Sequence, residues 1–288
     1  MLTNGKIRIA LGVACIAAIA IILSVAYRSG WFGWGGRDGS PDATIAQDEP
    51  APDHPSVPRP VPVDIAVPIL VYHYIREPQF GLADSSRQYE VAPELFAEQL
   101  AYLKGQGFES VHMTDIAAAF FAGKPLPEKP VIITFDDGRD SQYTAAFPLL
   151  KEYGFTATFF VFTNAMDRPG YLTWDQLAEM RDAGMEIGSH GIYHPYLTRL
   201  SDEEMRAELV GSRAKLQEML GVSGDVIAYP FGLNDERVRV AVAEAGYVAG
   251  RDLDHVVTFT ADDVMALGSY IITSNMKWFE KILAGEAR

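Results

Sequence analysis

The chain has 288 residues, a formal net charge of −14 and a single cysteine, and 48% of its residues are apolar. That apolar content suffices for a sizeable core in one large domain or two small ones. The negative charge excludes an electrostatic footprint for nucleic acid or anionic lipid, so a neutral or cationic substrate fits better than a polyanion.

Ile9 to Tyr27 carry no charge and follow Lys6 and Arg8. At helical rise the run reaches about 28 Å, close to the hydrocarbon thickness of a bilayer. Residues 1–28 are therefore expected to act as an uncleaved membrane anchor. Cleavage after a signal segment, giving a secreted protein, is the alternative. Cys15 lies inside this run, so the rest of the chain has no thiol, which suits an extracytoplasmic compartment such as the cell envelope or periplasm. Residues 29–62 read as a disordered linker, with seven prolines between Pro41 and Pro62 and almost no large apolar residues.

From residue 63 to 288 strands and helices alternate. Val67 to Tyr74 reads as a strand, and Pro93 opens a helix that ends near Gly105 or Gly107. Ser110 to His112 is a short strand, with Thr114 capping the next helix. Val131 to Asp136 is a buried strand. Ser141 caps a helix stopping at Gly154, and Thr156 to Phe162 is the next strand. Thr173 begins a helix ending at Gly184, and Met185 to Gly188 leads into a histidine pair. Ser201 and Glu204 form a capping box for a helix to about Leu220. Strands at Val226–Tyr229, Tyr247–Gly250 and Tyr270–Thr273 follow, with a helix from about Asp235 to Ala245 between the first two. Such alternation implies a parallel α/β architecture, either a barrel or an open sheet. Glycine-rich dinucleotide and phosphate loops are missing, as is a Gly-x-Ser-x-Gly nucleophile elbow.

The chemistry concentrates where Val131-Ile132-Ile133-Thr134-Phe135 runs into Asp136-Asp137-Gly138. Asp-Asp-Gly is ordinarily a turn, and two histidines four apart are often a surface pair. Here both motifs sit at strand ends, which converge on one rim of a parallel sheet. Asp137, His190 and His194 can together hold a divalent metal ion, Zn²⁺ foremost, with positions left for water and substrate. Their spacing brings both imidazoles to one ion if the segment makes a helical turn ended by Pro195. Asp136, not needed by the metal, is placed as a general base. Pro230-Phe231-Gly232 could present the Phe231 N–H to a developing oxyanion, although Pro-x-Gly is usually only a turn.

In this order, Thr134-Phe135-Asp136-Asp137-Gly138, Ser189-His190…His194-Pro195 and Tyr229-Pro230-Phe231-Gly232 resemble the signature of the polysaccharide deacetylases, the NodB-like homology domains of carbohydrate esterase family four. The resemblance covers about Val67 to Ser274. It implies a distorted (β/α)₇ barrel in a single catalytic domain, and metal-dependent release of acetate from N-acetylated sugars. By the same resemblance Asp136 is the base, Asp137, His190 and His194 are metal ligands, and the Phe231 N–H helps hold the oxyanion.

Three departures stand out. Ala228 occupies the position where the family has an arginine that orients the base, Arg251-Asp252-Leu253-Asp254-His255 lacks the family's Trp, and no histidine follows His255 to act as the acid. Ile69-Leu70-Val71-Tyr72-His73 resembles the opening of permuted members that act on poly-N-acetylglucosamine, which implies that His73 is the acid. A hydrogen-bonded core histidine is the competing reading. Trp174, Tyr193, Tyr196, Tyr229 and Trp278 could stack on sugars but are assigned no role. The expected activity is N-deacetylation of an N-acetylglucosamine polysaccharide. Peptidoglycan, chitin or O-acetyl xylan are alternative substrates, and a catalytically dead glycan-binding protein is the alternative class.

Overall fold

The computed structural model describes residues 63–78 and 88–287. The expected anchor and linker lie outside the described residues, among which no helix is long and apolar enough to cross a membrane. Seven strands form the main sheet: β1 (Ile69–Tyr72), β2 (Pro130–Phe135), β3 (Thr158–Val161), β4 (Glu186–Ser189), β5 (Val226–Ala228), β6 (Ala249–Arg251) and β7 (Tyr270–Ile271). Their order is β6-β5-β4-β3-β2-β1-β7, and every pairing along it is parallel. A two-residue strand, Glu109–Ser110, also pairs with the start of β2. Among the described residues β6 does not pair with β7; it meets the segment leading into β7 through the bridge Arg251–Leu267, so the seven strands curve into an incompletely closed (β/α) barrel.

Helices α1 (Pro93–Gly105) and α2 (Met113–Ala122) follow β1; α3 (Phe147–Tyr153), α4 (Trp174–Asp182), α5 (Asp202–Leu220) and α6 (Glu236–Glu244) follow β2 to β5; α7 (Met276–Leu283) follows β7. Their starts come largely from capping chemistry. Thr173 and Gln176, and Ser201 and Glu204, make reciprocal boxes, and Asp235 accepts from the Val238 N–H. Two expected caps fall elsewhere. His112 rather than Thr114 is the N-cap of α2, because the Thr114 hydroxyl donates to Glu186. Ser141 does not cap a helix; its Oγ accepts the Ile75 N–H, and a π-helical turn at Gln142–Ala146 precedes α3.

The strands alternate between two cores, as a period of two requires. Leu70, Tyr72, Val131, Ile133, Phe135 and Phe159 pack among α1, α3, α4 and α7. Ile69, Ile132, Phe160, Ala228 and Ala249 pack with α2 on the other face. Just beneath the carboxyl ends, Tyr72 stacks on Phe135 at 5.4 Å and Phe135 on Phe159 at 4.7 Å. Such pairs add roughly 0.5–1.5 kcal/mol each beyond area burial. They rigidify the three strand ends on which the polar residues stand.

Candidate metal and acid–base site

Parallel register brings the polar residues together. Tyr72 pairs with Phe135, so the next residues, His73 and Asp136, are neighbours. His73 marks a break in the expected 67–74 strand: β1 stops at Tyr72, and Tyr74–Ile75 pairs instead with Glu90–Val91. The His73 Nε2 lies 4.0 Å from Asp136 Oδ2. Gln142, from the π-helical turn, ties both strand ends through Nε2, which donates to the carbonyls of His73 (2.9 Å) and Asp136 (2.5 Å).

Asp137, His190 and His194 converge, with one ligand atom from each within 4.8 Å of the others. Asp137 Oδ1 is 3.8 Å from His190 Nε2 and 3.7 Å from His194 Nε2, and the two Nε2 atoms are 3.0 Å apart. Donors around a tetrahedral Zn²⁺ at its usual bond lengths sit ~3.3 Å from one another. The donor set therefore fits such an ion. Its surroundings fit as well: His190 Nδ1 donates to the Ala228 carbonyl at 2.7 Å, leaving the Nε2 lone pair for the site. Asp137 Oδ2 accepts from Arg139 at 3.0 Å, and the Arg139 guanidinium lies over the rings of Tyr74 and Tyr171.

The histidine segment is not the helical turn expected from its spacing. It is a loop, with Gly191 at φ 83° and His194 at φ 58°. A helical turn would place the two rings side by side on one face. The left-handed residues instead bring His194 back against His190, ring centroids 4.5 Å apart. Asp137 (φ 73°) and Phe231 (φ 63°) are also left-handed, so three of the four non-glycine residues with positive φ among the described residues belong to this site. Backbone strain of this kind, about 1–3 kcal/mol per residue, concentrates at functional sites.

Phe231 stands at a tight turn whose N–H donates to no group among the described residues. The residue is 45% exposed; its ring stacks on Tyr196 at 4.0 Å and makes a T-shaped contact with His194 at 4.5 Å.

One residue that sequence reasoning passed over completes the site. Arg251, at the end of β6 and almost fully buried, donates through Nη2 to both oxygens of Asp136, at 2.7 and 2.5 Å. Its Nη1 reaches Ser269 Oγ at 3.3 Å. It is the register partner of Ala228 on the adjacent strand, and from there its guanidinium reaches the carboxylate that Ala228 cannot. An arginine closing the apolar run Tyr247–Gly250, as the aspartates close Val131–Phe135, was the available signal.

The charges set the protonation states. Burial pushes the Asp136 carboxyl up, but Arg251, His190 and His73 more than offset it, and the net shift is downward. Asp137 behaves likewise, burial opposed by His190, His73 and Arg139. Burial lowers His73 and His190, against the pull of the two carboxylates. His194 falls to about 4, through burial and the neighbouring His190. At neutral pH the site thus holds two carboxylates and three uncharged imidazoles, the state a divalent cation requires.

Residues 123–250 match the family model for polysaccharide deacetylases. The Bacillus subtilis protein YxkH, which bears a polysaccharide deacetylase name, is 30% identical over 184 residues, 64% of this chain and 63% of its own. Poly-β-1,6-N-acetyl-D-glucosamine N-deacetylase of Escherichia coli is 36% identical over 124 residues, 38% of this chain and 18% of that protein. The match thus spans less than two thirds of either relative. Among solved structures, the Streptococcus pyogenes deacetylase PplD in complex with acetate superposes with a TM-score of 0.70 at 28% identity, covering 79% of this chain and all of that one. The barrel expected from the sequence is the fold shared with PplD.

Proposed function

We propose, for a chain whose residues 123–250 match the family model for polysaccharide deacetylases, that it is a hydrolase removing N-acetyl groups from an N-acetylglucosamine polysaccharide and releasing acetate. The observation that carries this reading is the pairing of two functions at one strand end. Asp137 joins His190 and His194 in a donor set, while its neighbour Asp136 is held apart by Arg251 as an unligated, ionised carboxylate. A glycan-binding protein has no use for that second group.

When bound at Asp137, His190 and His194, a divalent ion of the Zn²⁺ type would polarise the amide carbonyl and acidify water. The chain's own residues do the rest. Asp136, ionised well below neutral pH, takes a proton from the attacking water. The water oxygen bonds to the acetyl carbon, and the Phe231 N–H is free to donate to the oxygen on which charge develops. The C–N bond then breaks, and the nitrogen must gain a proton to leave as an amine. His73, beside Asp136 at the end of the adjacent strand, is the group that delivers it. Burial keeps it neutral beforehand, and Asp136, 4.0 Å away, is the neighbour able to supply the proton it delivers.

The substrate reading draws on two supports. The Escherichia coli relative's name specifies poly-β-1,6-N-acetylglucosamine. The rim also presents two exposed aromatic rings, Tyr193 and Phe231, of the kind that stack on sugar faces. The apolar run Ile9–Tyr27 would hold this chemistry at the outer face of a membrane. Acetate release from N-acetylated β-1,6-glucosamine oligomers, compared with chitin oligomers, peptidoglycan and acetyl-xylan, tests the assignment. Preference for the first supports it; preference for acetyl-xylan would replace the amidase reading by an esterase one.

A further inference from the structure

The segment between the two histidines has no regular structure, yet every backbone N–H from His190 to Tyr193 is satisfied. The His190 N–H donates to the Val161 carbonyl and the Gly191 N–H to Ser189 Oγ. The next two go to one side chain: Ile192 N–H donates to Glu208 Oε2 at 2.7 Å and Tyr193 N–H to the same oxygen at 3.1 Å. Four residues further along α5, Ser212 Oγ accepts from Ser189 Oγ at 2.8 Å and contacts the Tyr247 hydroxyl at 3.0 Å. Between them Gly211 leaves the space that Ile192 fills, since a Cβ there would stand 2.7 Å from Ile192 Cδ1. Glu208, Gly211 and Ser212 are spaced i, i+3 and i+4, so one face of α5 is shaped to the histidine loop.

Glu208 is an expensive choice for mere packing. The residue is buried and makes no ion pair among the described residues. A buried charge without a counter-charge is tolerated only where fixed dipoles replace the lost water. The dipoles that replace it are the two peptides in the middle of the loop. Gly211 similarly gives up helix propensity relative to alanine. Both concessions fall on the same loop, whose left-handed His194 would not hold its place unaided.

We propose that Glu208 is a positioning residue of the metal centre: through the Ile192 and Tyr193 peptides it fixes the loop geometry that brings His190 and His194 to one ion. This rests on the reading of Asp137, His190 and His194 as metal ligands. Glu208 touches neither substrate nor ion; it acts through the loop backbone, with Gly211 as its steric complement.

The test uses the full chain, chelated and then titrated with Zn²⁺ against a chromophoric chelator, and with Co²⁺ to record the ligand-field spectrum. Glu208→Gln retains an oxygen that can accept both N–H groups, and its metal affinity should stay close to the parent's. Glu208→Ala should bind metal more weakly by on the order of 10–100-fold and show an altered Co²⁺ spectrum. Glu208→Asp keeps the charge but draws it back from the Ile192 and Tyr193 N–H groups, so it should also weaken binding, and it decides the matter if Glu208→Ala does not fold. Parental affinity and spectrum in Glu208→Ala, or in Glu208→Asp where the former is unfolded, would overturn the proposal while leaving the functional reading intact. A parent chain that binds no ion would overturn both.

Discussion

Arg251 Nη2 touches both carboxylate oxygens of Asp136, although 115 residues separate the two in the chain. The contact joins the carboxyl ends of β6 and β2 across the interior, over the ring of Phe160, whose centroid is 5.4 Å from the guanidinium. It gives Asp136 a fixed direction and a counter-charge at once. Neither would survive substitution by an uncharged residue.

Replacing Arg251 by methionine should therefore act on two readouts. Removing one partner of a buried pair strands the other, at a cost of about 3–5 kcal/mol in unfolding free energy. The Asp136 carboxyl, left with its burial, should titrate at higher pH, so the acidic limb of the kcat/KM profile moves upward. Chemical denaturation and a pH–rate series measure these. An unmoved acidic limb would separate Arg251 from the base.

Asp136→Asn keeps shape but cannot accept a proton. Turnover should fall by roughly 10²- to 10⁴-fold, while metal affinity changes little, because Asp136 is outside the donor set of Asp137, His190 and His194. Asp137→Ala should show the reverse order, losing metal first. Metal titration alongside acetate assays distinguishes the two neighbours. Equal loss of metal in both variants would contradict their division of labour.

His73→Ala should discriminate between leaving groups. An amine cannot depart without a proton, whereas an alkoxide on a sugar hydroxyl needs less help, so acetate release from amides should suffer far more than from esters. The same loss on both substrates would make His73 a structural residue of the β1 end.

The chelated protein should be more stable at neutral than at mildly acidic pH. His194 titrates at about 4 in the fold, against 6.5 when unperturbed, and His73 and His190 shift the same way through burial. Between those values the unfolded chain binds more protons than the folded one, so stability rises with pH across about 4 to 6.5. Each histidine can contribute a slope of up to about 1.4 kcal/mol per pH unit. Asp136 and Asp137, shifted down, add stability of the same sign only in a lower window, lost as pH falls below the ordinary carboxylate range. Denaturation curves over this range check the sign. A stability maximum near pH 5 would contradict it.

Much of this site is legible in the chain because its parts are local. Asp136 and Asp137 terminate an apolar strand, and His190 and His194 follow another, so strand ends alone bring them together. Helix starts at Thr173, Ser201 and Asp235 follow from side chains within three residues. What escaped is nonlocal or conformational. Arg251 lies far from Asp136 in sequence, and Glu208 reaches the loop from the middle of a helix whose pattern shows only amphipathicity. The histidine spacing fits a helical turn as well as a loop, and only the Glu208 contacts and the left-handed residues decide between them. Ser141 and Thr114 have capping chemistry, but tertiary partners, Ile75 and Glu186, claim their hydroxyls.

The most direct measurement follows acetate release from N-acetylated β-1,6-glucosamine oligomers as Zn²⁺ is returned to the chelated full chain. Release should vanish on chelation, recover in step with metal binding, and stay absent in His190→Ala and His194→Ala. Undiminished release by the chelated chain and by both variants would contradict a metal-dependent deacetylase at this site.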